Sequence, residues 1–389
     1  MMRTFATILI PARNASATIE RAVRSAMIQD DCAVILVDDF SEDDTVTCAR
    51  SIGGDRVRVV RPSNHTSLGC TRQAGLDAIS TPFGIWLDAD DELLPGRVER
   101  LVAVLGRDDA DLASDTIELF DGPSSEFLTR LTIPEFLKGR KPLARLFERN
   151  YLQGVGCHGF RTEFSRRIAF DPNLHGAEDM DFMLRAVAAG ARFCLIDEPG
   201  YRLFAYPSSL SRRRENQLDM YRACLMKHEY DSVRSLFQKA GHDARITSWG
   251  LASMALFRRE FERALEFVSL AESMVVDADE VLEPSGPCPM LEGWRVAFSR
   301  GSALSMMELW PEAEACFERA ESIHGTAEGA NNLGVAKARR GDADAAERLC
   351  TKSLERFLNY ADALANRKAV RPSRTTLHPL RREPTRQDY

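Results

Sequence analysis

Several routes to function are closed by what this sequence lacks. Its nine cysteines are odd in number and scattered, with no Cys-x-x-Cys pair. That excludes a disulfide framework or a structural zinc site as the organising device and predicts buried, reduced thiols. No apolar run approaches the ~20 residues needed to span a bilayer. A basic excess is also missing: 51 Lys and Arg stand against 58 Asp and Glu, a net charge of −7. A nucleic-acid binder driven by counterion release needs the opposite balance. After the first apolar run comes Ile10-Pro11-Ala12-Arg13-Asn14-Ala15, with no glycine and no lysine. Nucleotidyl-transfer enzymes show a Gly-rich, Lys-containing loop there.

What is present is an ordinary globular composition, 44% hydrophobic and 28% charged, over 389 residues. That length favours two domains over one core. Met1-Met2-Arg3-Thr4 runs straight into a strand pattern, so no signal peptide is expected, and the predicted location is cytoplasmic.

The first part alternates strands and helices. Phe5-Ala6-Thr7-Ile8-Leu9-Ile10 and Cys32-Ala33-Val34-Ile35-Leu36-Val37 read as buried strands, with helical spacing between them over 17–27. Ser41 is the expected N-cap of the next helix, with Asp44 in the capping-box position. A third strand at Val57-Arg58-Val59-Val60, a helix over 68–79 and a strand over 83–87 follow. Unbroken apolar strands alternating with helices imply a mostly parallel sheet covered on both faces. A helix over 181–189 and a strand over 192–196 complete this half.

Beyond about residue 212 the pattern is helical. Three segments starting at Ala264, Ala313 and Ala346 resemble one another, 49 and 33 residues apart, and each follows a second helical stretch. This is the signature of tetratricopeptide-type helix–turn–helix repeats. Trp249, Phe257, Phe261, Trp294, Phe298, Trp310 and Phe317 fall at helical intervals and are the expected core of the array. The expected domains are 1–225 (α/β), 226–368 (all-α repeats) and a disordered Arg- and Pro-rich tail, 369–389.

Asp88-Ala89-Asp90-Asp91 follows the apolar strand Phe83-Gly84-Ile85-Trp86-Leu87. Carboxylates at the carboxyl end of a buried strand face the crevice where open α/β sheets bind ligands. On extended backbone, Asp88 and Asp90 point to one side. Two hard oxygen donors so placed suit a divalent cation, which in turn holds a diphosphate. Alone, such acids also mark ordinary turns and caps.

In order along the chain stand Ile8-Leu9-Ile10-Pro11-Ala12-Arg13-Asn14, Val37-Asp38-Asp39-Phe40-Ser41-Glu42-Asp43-Asp44-Thr45, Gly69-Cys70-Thr71-Arg72-Gln73-Ala74-Gly75, Trp86-Leu87-Asp88-Ala89-Asp90-Asp91 and Gly176-Ala177-Glu178-Asp179-Met180-Asp181. With Tyr201-Arg202 and Ser208-Ser209-Leu210-Ser211, this series resembles the family 2 glycosyltransferases of GT-A fold. The likeness covers about the first 210 residues. Phe40 replaces that family's usual Gly, Gln73 its usual Asn, and Phe204 stands where many members carry a His. The last departure argues against a histidine ligand here.

The resemblance implies a nucleotide-sugar donor and a divalent cation, Mn²⁺ or Mg²⁺. It puts the cation on Asp90, with Asp88 beside it or at the ribose. It puts the base of the nucleotide, uracil first among candidates, on Asp39. Pro11, Arg13 and Asn14 line the same pocket, and Arg72 holds the base or the diphosphate. The proton acceptor is Asp179, 89 residues after Asp90, and inversion at the anomeric carbon follows. Asp181 competes for that role.

The acceptor is left open among a glycan, a lipid-linked saccharide and a protein. A lipid acceptor would need docking at the inner face of the membrane through the basic tail or a partner. The other reading of the whole chain is an interaction module, with a protein partner on the repeats and a nucleotide-binding or inactive α/β half. Gly154-Val155-Gly156-Cys157-His158-Gly159 spells a dinucleotide fingerprint, but no buried strand precedes it, so a Gly-rich turn beside the acceptor cleft and a packed or cleft-facing His158 are expected.

Overall fold

The computed structural model describes residues 5–63, 67–107, 110–131, 143–148, 158–174, 176–206, 214–274, 292–357, 360–369, 373 and 375–376. The chain forms two compact units, one of Met1–Leu143 with Asn150–Lys227 and the other of Ala144–Arg149 with His228–Tyr389. Residues 154–157 of the expected Gly-rich turn, the 208–211 motif and most of the tail lie outside the described residues.

In the first unit, β1 (Ala6–Ala12), α1 (Ile19–Met27), β2 (Cys32–Asp38), α2 (Thr45–Gly53), β3 (Val57–Val60), α3 (Leu68–Ala78) and β4 (Phe83–Trp86) alternate as the apolar runs demand. β1 pairs in parallel with β2 and β4, and β2 with β3. Ile8, Ile10, Val34, Leu36 and Ile85 are buried together with Ile19, Val23 and Ala26 of α1. Helix α3 lies close to β2 at Gly75, where a Cβ would sit 2.9 Å from Val37.

Then come β5 (Glu92–Leu93), α4 (Arg97–Gly106), β6 (Leu112–Asp121), β7 (Phe127–Leu131), β8 (Gly159–Arg161), α5 (Thr162–Ile168), α6 (Glu178–Ala188), β9 (Phe193–Ala205) and α7 (Arg214–Leu225). The strand order is β3-β2-β1-β4-β8-β6-β9-β5, with β7 beside β6. β6 and β9 are parallel, whereas β8, β5 and β7 enter antiparallel. The parallel half matches the expectation. The antiparallel strands β5 and β8 have two and three residues, too few to show a period.

The start of α2 differs from the capping-box reading. The helix begins at Thr45, and its N-cap Asp44 makes no side-chain cap bond. Ser41 Oγ instead accepts from Asn14 N (3.0 Å), and Asp43 carboxylate oxygens accept from Ser16 N and Thr45 N (3.0 Å each). The polar residues before the helix tie the loop after β2 to the loop after β1 rather than cap the helix.

The second unit is all-α among the described residues: α8 (Tyr230–Lys239), α9 (Ala244–Arg258), α10 (Phe261–Ser273), α11 (Glu292–Met306), α12 (Trp310–Ile323), α13 (Ala327–Arg339), α14 (Ala343–Arg356) and α15 (Ala361–Lys368). The three similar segments lie in α10, α12 and α14. Trp249, Trp294, Phe298 and Phe317 are buried, while Phe257, Phe261 and Trp310 are half-buried.

Candidate active site

The site gathers at the carboxyl ends of β1, β2 and β4. Strand β2 ends on Asp38, whose fully buried carboxylate accepts from Ser41 N (3.2 Å) and Arg61 Nε (2.8 Å). Asp38 is thereby a turn anchor. Asp39 is also buried, and its N–H donates to Ala12 O (2.8 Å), bringing it alongside the end of β1. Pro11 is buried within β1, and Arg13 and Asn14 are exposed just beyond. Asn14 shapes the loop, because its Oδ1 accepts from Glu42 N (2.8 Å) and adds a second tie between the two loops. Phe40 takes φ +54°, a left-handed conformation costly for a bulky side chain.

Residues 88–91 do not continue as extended backbone. They turn, with Asp91 N donating to Asp88 O (3.1 Å). The turn is held from β9. Tyr201 hydroxyl donates to Asp91 Oδ2 (2.8 Å) and accepts from Asp88 N (3.1 Å), and Phe204 N donates to Asp91 Oδ1 (2.8 Å). Arg21 of α1 donates to the Asp90 carbonyl and to Tyr206 hydroxyl (3.2 Å), with its guanidinium 3.5 Å from the Phe204 ring centroid. Asp91 thus serves the turn, while Asp88 and Asp90 are half-buried. Among the described residues no three His, Cys, Asp or Glu side chains converge as a ready metal cage. A Mg²⁺-type site shared with substrate phosphates needs only one or two carboxylates, and the Asp88–Asp90 turn supplies that donor chemistry.

Arg72 joins two motifs that lie far apart in the chain. It is buried in α3, donates from Nη2 to Asp88 Oδ1 (3.0 Å) and from Nε to Glu178 Oε1 (3.1 Å), and stands over the Trp86 ring. Asp179, the next residue on α6, lines a small pocket with Arg72, His158 and the rings of Trp86, Phe160, Phe170 and Phe182. The residue keeps some solvent exposure, but dense protein surrounds its carboxyl. Burial there pushes Asp179 above the ordinary carboxylate range, opposed by Arg72 and reinforced by Asp88. Glu178 is pushed up as well, by burial and by the charge of Asp179. Glu178 and Asp179 are adjacent carboxyls facing one guanidinium, and such neighbours titrate as a unit.

Asp181 is placed differently. It is fully buried, with Oδ2 on Arg185 Nε (2.7 Å) and Oδ1 on Lys227 Nζ (2.7 Å), so both oxygens serve ion pairs. His158 is buried, and its Nε2 has no hydrogen-bond partner among the described residues. Burial, with Arg97 and Arg72 nearby, pushes its pKa down to about 3 and keeps the imidazole neutral.

The structure therefore brings Asp88, Arg72 and Asp179 into one cluster, and Pro11 and Asp39 to neighbouring strand ends. Sequence reasoning missed Glu178, Tyr201 and Arg21 as organisers. Glu178, as the acid inside the Gly176–Asp181 motif, and Tyr201, in the Tyr201-Arg202 pair, had a local signal, and Arg21 had none.

The family model described as Glycosyl transferase family 2 matches residues 7–168. The chain is similar to the succinoglycan biosynthesis protein ExoU of Rhizobium meliloti, at 29% identity over 59% of this chain and 68% of that one. It is similar to ExoO of the same organism at 28% identity, over 53% of this chain and 62% of that one. Among solved structures, it is similar to S. aureus TarS 1–349 in complex with UDP-GlcNAc, with 16% identity, 92% and 93% of the two chains covered and a TM-score of 0.49. The N-terminal part of this chain carries a glycosyl transferase family 2 domain, and the protein is a glycosyltransferase.

Proposed function

We propose that the domain moves a sugar from a nucleoside-diphosphate sugar to an acceptor hydroxyl with inversion, using Asp179 as the general base. The observation that carries this is the raised Asp179 carboxyl, tied through Arg72 and Glu178 to the Asp88 turn. A carboxylate with elevated basicity that lines a small pocket is suited to take a proton near neutral pH.

In this reading the acceptor oxygen forms its bond to the anomeric carbon as its proton passes to Asp179. The bond from that carbon to the diphosphate oxygen breaks on the opposite face, and the diphosphate leaves with the electron pair. Asp39, beside Pro11, reads the nucleotide base, for which the ring N–H of uracil is a fitting donor. Arg13 completes the nucleotide pocket from the loop after β1, and Asn14 shapes that loop. Arg72 supplies positive charge near the diphosphate. Asp90, with Asp88 adjoining, would hold a divalent cation, which when bound offsets charge on the leaving diphosphate.

The relatives' role in succinoglycan biosynthesis supports a growing saccharide as acceptor. The paired helices of the second unit are read as tetratricopeptide-type repeats.

Asp179→Asn keeps shape and removes the base. It should cut transfer by at least ~10²-fold while donor binding, followed by calorimetry, stays within about twofold, a difference of no more than ~0.5 kcal/mol. Undiminished transfer by that variant would remove Asp179 from the mechanism.

A further inference from the structure

The helical unit has a polar inner seam distinct from its aromatic core. Asn331 and Asn332 of α13, Asn366 and Asp362 of α15, and Ser302 of α11 are all buried. Their amides form a row: Asn366 Nδ2 donates to Asn331 Oδ1 (2.8 Å), and Asn331 Nδ2 donates to Asn332 Oδ1 (3.2 Å). Buried amides of this kind need partners, and here the partner is backbone.

That backbone belongs to the chain's own tail. Asn332 Oδ1 accepts from Thr376 N (2.8 Å), and Asn332 Nδ2 donates to Thr376 O (2.7 Å). One carboxamide therefore grips the N–H and C=O of a single residue, as a neighbouring strand would, whatever side chain that residue carries. Ser302 Oγ adds a second donor to Thr376 O (3.2 Å), and Asn366 Oδ1 accepts from Ser373 N (3.0 Å). Side-chain selection comes from a separate pair. Thr376 Oγ1 donates to Asp362 Oδ2 (2.9 Å), with Tyr360 hydroxyl also in hydrogen-bond contact.

We propose that this seam is a docking groove for a polypeptide segment carrying Ser or Thr, and that Ser373 and Thr376 of the chain's own tail are its tethered occupant. The backbone contacts are independent of side chain, so any residue but proline meets them. The carboxylate of Asp362 favours a hydroxyl at one position, because an aliphatic side chain would take away one of the donors to that buried carboxylate. A partner segment gains entry by displacing the tail, which competes at the high effective concentration of a tethered ligand. The inference concerns the helical unit and does not depend on the transfer chemistry.

The test uses the full chain. Thr376→Pro removes both the N–H and the hydroxyl by which the tail holds on. A fluorescein-labelled peptide of residues 370–382 is then titrated by anisotropy. It should bind the Thr376→Pro chain at least about tenfold tighter than the wild type, whose groove is occupied. The same peptide with Ala in place of Thr376 should bind the Thr376→Pro chain about tenfold more weakly, the scale of a lost hydrogen bond to a charged group. Adding Asn332→Ala should abolish binding, with far-UV circular dichroism verifying the fold. No binding by the Thr376→Pro chain, or equal binding of the two peptides, would overturn the proposal. The peptide comparison decides the matter even if Asn332→Ala does not fold.

Discussion

Arg72 is the residue on which the charge state of the site turns. Its single guanidinium faces Asp88 and Glu178 directly and acts on Asp179 through space. Because burial raises Asp179, its carboxylate form appears only at higher pH than for an ordinary aspartate, so with Asp179 as the proposed base the acid limb of kcat should be displaced upward. Glu178→Gln removes the carboxyl that shares Arg72 and leaves more of the Arg72 field, which lowers the Asp179 pKa, on Asp179, so the acid limb should move to lower pH in that variant. His158→Gln is the control: the imidazole is already neutral, with a pKa pushed down to about 3, so the limb should stay where it is. A pH–kcat profile for the two variants separates these outcomes, and an unmoved limb in Glu178→Gln would dissociate Glu178 from the base. Phe40 offers a second residue-scale check. Its φ of +54° suits glycine, so Phe40→Gly should hold or raise stability by up to ~1 kcal/mol in chemical denaturation, despite the entropy a glycine adds to the unfolded chain.

At the scale of elements, the sequence exposed what is local and hid what is long-range. The four parallel strands were legible because each is a compact apolar run ending in a polar turn. The Asp88–Asp91 turn was legible as a motif but not as a shape, because its geometry is imposed from β9, 113 residues away along the chain. Tyr201 and Phe204 carry no mark that they clamp Asp91. The Arg72–Glu178 pair spans 106 residues and is equally silent. Ser41 and Asp44 read as a capping pair because capping and loop-tying use the same side chains; which one wins for Ser41 depends on the loop after β1 lying within reach. The β9 clamp can be weighed directly. Tyr201→Phe removes a hydrogen bond to the buried Asp91 carboxylate and another from Asp88 N. Each such loss costs about 1–3 kcal/mol when a buried group is left unpaired. Stability should drop by that order, and kcat should fall further than donor affinity, because the turn carries Asp88 and Asp90. Unchanged kcat with lowered stability would restrict Tyr201 to scaffolding.

At the scale of the whole molecule, sequence order and structural membership part company at residues 144–149. The sequence reads them as part of the α/β half, yet they join the helical unit. A short 3₁₀ turn, Ala144–Phe147, is buried on all four residues, and the Phe147 ring meets the His228 ring edge-on with centroids 4.9 Å apart. Nothing in the periodicity of a four-residue turn announces which core it will enter. The consequence is testable in the full chain. Phe147→Ala leaves a void in a packed helical core, a change worth about 3–5 kcal/mol. Because Phe147 belongs to the second unit, that loss should appear in α8 and α9, whereas β1, β2 and β4 should keep their protection. Hydrogen exchange resolved by segment reads this without dissecting the chain. Faster exchange in α8 and α9 with unchanged β1–β4 places the turn energetically in the helical unit, and the reverse pattern would return it to the sheet.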